Sequence, residues 1–303
     1  MQETICFYND QFYKKNDVPL SLDDLGFSRG YALFEHCRTY GKKIFHLEEH
    51  LIRLQEGAQR LLIPMRYSFD AIASILEKLI SLHSFEEFGF KIYLTMGQAH
   101  IGITPTTEPT FIIYPYPLTS YVGYDFSKGI KVATTSYQRS FAECKTTFYL
   151  PGILAKKELA LVDEILFLDS NNHVLESTIA SFMGFKGDTL IIPKGALLKS
   201  VTQEVIAFLA SGFHQLVRKE VTLDELMEFD EIFLCSSTKE FLPISSINQT
   251  WNKDPKNFSR TLKLRKSFED YMEKGQWHLL ESFSLVKKET LFDAKDALLQ
   301  QKA

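Results

Sequence analysis

Lys145 lies in the run Glu143-Cys144-Lys145-Thr146-Thr147-Phe148-Tyr149-Leu150-Pro151-Gly152, and about thirty residues later comes Asn172-His173-Val174-Leu175-Glu176-Ser177-Thr178. A lysine amine can form a Schiff base with a carbonyl carbon, and a carboxylate can sit against a protonated pyridine nitrogen and keep it charged. With 34 Lys and Arg in the chain, any one lysine is ordinarily a solvated surface charge. The pairing with Glu176 singles Lys145 out. An anion site is also visible. Thr202 opens an apparent helix, Thr202-Gln203-Glu204-Val205-Ile206-Ala207-Phe208-Leu209. A helix N-terminus offers unpaired backbone N–H groups and a positive dipole end, so Val201 and Thr202 would donate through their backbones. The ordinary alternative is that Thr202 is only the N-cap.

Further blocks accompany these. Asp24-Leu25-Gly26-Phe27-Ser28-Arg29-Gly30-Tyr31-Ala32-Leu33-Phe34-Glu35 and Phe45-His46-Leu47-Glu48-Glu49-His50-Leu51-Ile52-Arg53-Leu54 precede the lysine, while Leu198-Lys199-Ser200-Val201-Thr202-Gln203 and Phe233-Leu234-Cys235-Ser236-Ser237-Thr238 follow the glutamate. Through these blocks, from about Tyr8 to about Ile247, the chain resembles the class IV aminotransferases, pyridoxal phosphate enzymes of fold type IV. They include branched-chain and D-amino acid aminotransferases and aminodeoxychorismate lyase. The F-x-L-x-x-H-L-x-R-L helix is the most specific block. The last two are looser, since the family usually reads L-x-G-I-T-R and Gly-Thr there. The chain also departs at Ser177 and Ser181, where the family commonly has Gly and Asn.

The resemblance implies pyridoxal 5'-phosphate as cofactor, with Lys145 forming its Schiff base and shuttling the proton at the substrate Cα. It implies Glu176 on the pyridine nitrogen, where the residue alone reads as a turn carboxylate after Asn171-Asn172. Tyr149, otherwise a core aromatic, would approach the phenolic oxygen. Arg53, Val201, Thr202 and Ser237 would hold the phosphate. By periodicity Arg53 falls off the apolar strip of its helix and could equally be solvated. Arg139 takes a supporting role and His50 that of a structural hydrogen-bonder.

The activity implied is amino-group transfer between an amino acid, of branched-chain or D type, and a 2-oxo acid. The alternative is 4-amino-4-deoxychorismate lyase, which releases pyruvate and 4-aminobenzoate; a third reading is a non-catalytic binding protein on the same fold. Family members are generally homodimers, so a homodimer is expected. Canonical D-amino acid members carry an Arg-x-His pair in the loop that here reads Gly97-Gln98-Ala99-His100-Ile101-Gly102-Ile103-Thr104-Pro105. A smaller subgroup has R-G-Y-G and an arginine at the start of the preceding strand. This chain resembles it through Arg29-Gly30-Tyr31-Ala32 and Lys91, which makes Arg29 and Lys91 candidate carboxylate binders, with Phe34 lining the pocket. Alternatively, Arg29 caps a turn and Lys91 is a strand-edge charge.

The elements that must position these residues follow from periodicity. Leu47, Leu51, Leu54, Ala58 and Leu61 predict an amphipathic helix, and Ile72, Ile75, Leu76, Leu79 and Ile80 a second. Residues 91–95 and 110–114 read as strands, so 1–114 is expected to be a small α+β domain. Pro115 and Pro117 remove donors and fix φ, which places an interdomain linker at 115–121. Strands at 130–134, 164–168, 189–192 and 231–234 alternate with helices near 150–161 and 202–211. Residues 122–303 therefore form a larger, mixed α/β cofactor-binding domain with a Lys/Glu-rich helical extension.

The 303 residues, 45% hydrophobic, suffice for two such domains. A net charge of -4 with dispersed basic residues argues against a nucleic-acid partner. No apolar run approaches the roughly 20 residues that span a bilayer, and no leader pattern is visible, so a cytoplasmic, non-membrane protein is expected. Four scattered cysteines suggest neither a disulfide framework nor a metal site.

Overall fold

The computed structural model describes residues 3–118 and 125–284. The chain divides into two compact units, one of Met1–Thr119, Cys144–Thr147 and Trp277–Ala303, the other of Ser120–Glu143 and Phe148–Gln276. This differs from a single cut after the first domain: the four residues around Lys145 and the chain from Trp277 onward group with the first unit rather than with residues 122–303.

In the first unit, strands β1 (Ile5–Tyr8), β2 (Gln11–Lys14), β3 (Ala32–Tyr40), β4 (Lys43–Ile44), β5 (Phe88–Thr95) and β6 (Thr110–Pro117) form an antiparallel sheet in the order β2-β1-β6-β5-β3-β4. Helices α1 (Leu25–Arg29), α2 (Leu47–Arg60) and α3 (Phe69–Ser81) complete it. The spacing that predicted α2 buries Leu51, Leu54 and Ala58 in a core shared with Leu33, Cys37, Ile72, Leu76 and Phe90. Ser68 caps α3 by accepting from the Ala71 N–H at 3.2 Å.

Pro115 and Pro117 do not begin a linker: they lie in the last three residues of β6, opposite Phe90 and Phe88 of β5. Being two apart, they put both missing N–H groups on one strand edge. The register of β1 with β6 covers only Ile112 and Ile113, so that edge requires no ladder bond at the prolines. The rest of the expected linker, residues 119–121, lies outside the described residues.

Strand β3 was not legible in the sequence. Its odd positions, Leu33, Glu35, Cys37 and Thr39, are buried, while its even positions include half-buried Phe34 and His36. Each set mixes polar with apolar residues, so no simple alternation appears. Farther along, Trp277 packs on Phe45 with ring centroids 5.0 Å apart, and the Leu280 N–H donates to Glu49 at 3.0 Å.

The second unit is built on a nine-stranded mixed sheet of β7 (Ile130–Ser136), β8 (Glu164–Leu168), β9 (Val174–Ser177), β10 (Ser181–Lys186), β11 (Thr189–Pro193), β12 (Gln215–Lys219), β13 (Glu231–Ser236), β14 (Glu240–Ile247) and β15 (Trp251–Asn252). The order is β12-β11-β10-β13-β14-β7-β8-β9, with β15 on β14, and β14-β7, β7-β8 and β11-β12 run parallel. Fully buried strands such as β8 and β13 read as near-continuous apolar runs. Helices α4 (Leu150–Glu158), α5 (Val201–Ala210), α6 (Leu223–Leu226) and α7 (Ser259–Lys274) flank the strands in the chain, and α8 (Glu281–Ser284) follows in the first unit. The charged helix expected near the C-terminus includes α7, and its continuation past residue 284 lies outside the described residues. No helix among the described residues is long and apolar enough to cross a membrane.

Candidate active site

In the first unit Lys145 is fastened to β3. The Phe34 N–H donates to the Lys145 carbonyl at 2.9 Å, the Thr147 N–H donates to the Ala32 carbonyl at 3.3 Å, and Thr146 bridges Leu33. Lys145 Nζ stands 4.7 Å from the centroid of the Phe34 ring. Cys144, one residue earlier, is buried with the α2 leucines and anchors the segment as a packed thiol.

Residues of even number on β3 and their partners on β5 and β6 share one face of the sheet. Phe34 opposes Tyr93 and His36 opposes Lys91, while Lys91 in turn opposes Tyr114. Phe34 stacks on Tyr93 and Tyr93 on Tyr114, with ring centroids 6.0 and 6.3 Å apart. Lys91 Nζ lies 5.8 Å from the Tyr114 centroid. Burial pushes the Tyr93 hydroxyl up to about 12, helped by Tyr114, so the phenol stays protonated. Lys145, Phe34 and Lys91 are thus brought together. Arg29 is not: it ends α1, is exposed, and its one hydrogen bond among the described residues is to the Ser28 carbonyl at 2.9 Å.

On the opposite face Arg53 is buried, not solvated. Its Nε donates to Glu35 Oε1 at 2.7 Å and its Nη2 to Glu35 Oε2 at 2.6 Å, while His50 Nδ1 meets Glu35 Oε2 at 2.9 Å. Burial raises the Glu35 carboxyl, but Arg53 and His50 outweigh it and hold the group well below the usual carboxylate range. His50 is pushed down chiefly by burial and stays neutral, its Nδ1–H pointing at the carboxylate. Glu35 escaped the sequence reading. The signal was a carboxylate at a position whose neighbours two residues away, Leu33 and Cys37, are apolar.

In the second unit Glu176 is buried on β9, and its Oε1 lies 3.0 Å from Arg139 Nε. Arg139 also donates from Nη2 to the Thr178 carbonyl at 2.6 Å and lies 4.7 Å from the Tyr149 ring centroid. Glu176, Tyr149 and Arg139 therefore form one cluster, in which the guanidinium compensates a carboxylate that could not otherwise be buried. Glu176 belongs to a strand, not to the turn before it.

Helix α5 begins one residue before Thr202. Its N-cap is Ser200, whose hydroxyl accepts from the Gln203 N–H at 3.3 Å. Thr202 is not the cap because a cap must reach the amide two or three residues ahead from outside the helix, and Ser200 has the extended backbone that allows it. Val201 and Thr202 occupy the first two helical positions, are buried, and donate to no protein group among the described residues. Buried orphan amides at a helix start fit a phosphate. Ser237 sits in the turn between β13 and β14, beside a Ser236–Thr238 hydroxyl contact of 3.5 Å.

The chain is 27% identical over 281 residues to a putative branched-chain-amino-acid aminotransferase of Methanocaldococcus jannaschii, covering 88% of this chain and 96% of that protein. It is 23% identical over 285 residues to a D-alanine aminotransferase of Staphylococcus epidermidis, covering 89% and 98%. In fold it matches a T.th. branched-chain amino acid aminotransferase solved with pyridoxamine 5'-phosphate, with a TM-score of 0.83 at 20% identity over 91% of this chain and 96% of that one. The Thermoproteus uzoniensis branched-chain aminotransferase solved with norvaline gives 0.82 at 18% identity over 93% and 97%. The two-unit mixed architecture is that of fold type IV. The model of the amino-transferase class IV family matches residues 32–247, which takes in β3 and Lys145, the Glu176–Arg139 pair and the start of α5: the chain belongs to that family of enzymes.

Proposed function

We propose that the protein transfers an amino group between an amino acid, of branched-chain or D type, and a 2-oxo acid, with pyridoxal 5'-phosphate as cofactor. When bound, that cofactor supplies a carbonyl carbon for the amino group and an electron-poor ring for charge released at the substrate Cα. Lys145 carries the cofactor through its amine and moves the proton at Cα. Glu176, paired with Arg139, holds the proton on the ring nitrogen, and Tyr149 approaches the phenolic oxygen. Phosphate goes to the Val201 and Thr202 amides and the Ser237 hydroxyl and, on the family resemblance, to Arg53, whose guanidinium Glu35 holds in place. Lys91 receives the substrate carboxylate against Phe34, and Arg29, exposed at the end of α1, is the second candidate on the family resemblance alone. The relatives named above act on branched-chain amino acids and D-alanine, which supports both substrate types. We also propose a homodimer, on the family resemblance.

The observation that carries this reading is the anchoring of Lys145 to β3 beside Phe34. Borohydride reduction of protein loaded with cofactor, followed by peptide mapping, is expected to find the cofactor on Lys145. Lys145→Ala should lose covalent attachment and turnover together. Attachment at another lysine would overturn the assignment.

A further inference from the structure

Gly89, Tyr116 and His36 make an arrangement that the roles above leave unused. Tyr116 of β6 is the cross-strand partner of Gly89 on β5, and a Cβ at Gly89 would collide with the Tyr116 ring. The missing side chain lets Tyr116 lie flat across β5 and reach β3, where its hydroxyl makes a short hydrogen bond to His36 Nε2. The two rings are 5.7 Å apart between centroids. His36 stands two residues along β3 from Phe34, which puts it on the same face as Lys145, and it lies directly opposite Lys91. A hydroxyl on one strand thus sets the orientation of an imidazole two strands away.

The protonation of this pair follows from its surroundings. Burial pushes His36 down to about 3, and Lys145, His50 and Lys91 act in the same direction against Glu35. Burial likewise pushes Tyr116 up to about 12. A neutral imidazole and a neutral phenol hold two polar hydrogens between them, and their mutual bond uses one. Either tautomer therefore leaves one N–H or O–H donor for a third group. Neither side chain makes another hydrogen bond among the described residues. The groups around this donor favour an anionic acceptor. The same-face positions 34, 36 and 38 of β3, 89, 91 and 93 of β5, and 112, 114 and 116 of β6 carry Lys91 and Arg38 and no carboxylate.

We propose that His36, oriented by Tyr116 across Gly89, is a specificity-determining residue that donates a hydrogen bond to the substrate carboxylate alongside Lys91. The proposal rests on the aminotransferase reading and deepens it. Arg29, whose guanidinium bonds the carbonyl of its own helix, becomes the lesser contributor.

The test compares an amino acid with the amine that lacks its carboxylate, in enzyme loaded with cofactor. His36→Phe keeps the ring and removes the donor. It should raise KM for the amino acid roughly tenfold to hundredfold, the cost of one hydrogen bond to a charged group, while leaving kcat and the KM for the amine within about twofold. His36→Gln, which restores a donor, should recover much of the loss. Tyr116→Phe and Gly89→Ala should reproduce it in weaker form, because each frees the imidazole without deleting it. A direct readout is the affinity for 3-methylbutanoate, measured calorimetrically, which should weaken by a similar factor in His36→Phe. Equal changes for amine and amino acid, or unchanged 3-methylbutanoate binding, overturn the role of His36. Absence of amino transfer from every donor in the wild-type protein would instead overturn the underlying function.

Discussion

The two faces of β3 each hold a neutral histidine, and the company each keeps separates a structural role from a recognition role. On the core face His50 meets Glu35, which also takes two hydrogen bonds from Arg53. Every charge there has an opposite partner. On the other face His36 meets a phenol and lies in the field of Lys145 and Lys91, among strand positions that carry no carboxylate. Burial is costly on both faces, and on the first the Glu35–Arg53 ion pair offsets it. On the second, the cations that act on His36 favour an anion. The comparison teaches that a sheet face whose strand positions carry charges of one sign is a side to search for a ligand of the other sign.

The sharpest way to break this contrast is to remove the core-face carboxylate. Glu35→Ala leaves Arg53 buried without its counter-charge and should cost about 3–5 kcal/mol in denaturant unfolding. His36→Phe, on the other face, should cost about 1 kcal/mol. Similar losses for the two would erase the distinction.

Acidity offers a second test, because the two groups lose stability in different windows. The Glu35 carboxyl is depressed on folding, so its contribution is complete above its unfolded value of about 4.3 and falls away as pH drops below that. His36 is also depressed, to about 3, from an unfolded value near 6.5. The unfolded chain therefore takes up a proton first, and stability falls as pH drops from about 6.5 toward 3. His36→Phe should flatten the slope of stability between about pH 6.5 and 4.5, whereas in Glu35→Ala the gap to wild type should close only below about pH 4.3. A slope unchanged in both variants would contradict both protonation assignments.

Glu176 extends the comparison to the second unit, where a buried carboxylate again faces a guanidinium. Here the loss should register in rate. Glu176→Gln should retain the cofactor and slow proton abstraction by about tenfold to thousandfold in single turnovers, since each unit of lost ring-nitrogen basicity is worth about 1.4 kcal/mol. Near-normal kinetics would remove Glu176 from the ring nitrogen. The smallest effect belongs to the cap of α5: Ser200→Ala should lower stability by about 1 kcal/mol and weaken cofactor binding modestly, because the amides of Val201 and Thr202 lose the residue that fixes their direction. If Thr202→Val proves the more destabilising of the two, the cap assignment is wrong.

Local pattern alone determined a good part of this protein. Leucines at helical spacing specified α2, continuous apolar runs specified β8 and β13, and the ordered blocks around Lys145, Glu176 and Arg53 identified the family. These signals are short-range or motif-borne, so they survive without knowledge of neighbours. Only tertiary structure decided that Pro115 and Pro117 lie in a strand, since that depended on which edge of β6 lacks a partner. It decided that Ser200 rather than Thr202 starts α5, a matter of one residue's backbone angle. It also decided that Arg53 bonds Glu35 and that Tyr116 crosses Gly89 to His36, pairings separated by 18 and 80 residues in the chain. Contacts at such separations depend on strand register, which places each side chain on one face of the sheet or the other, and a one-residue slip would exchange the two faces of β3 and every assignment on them.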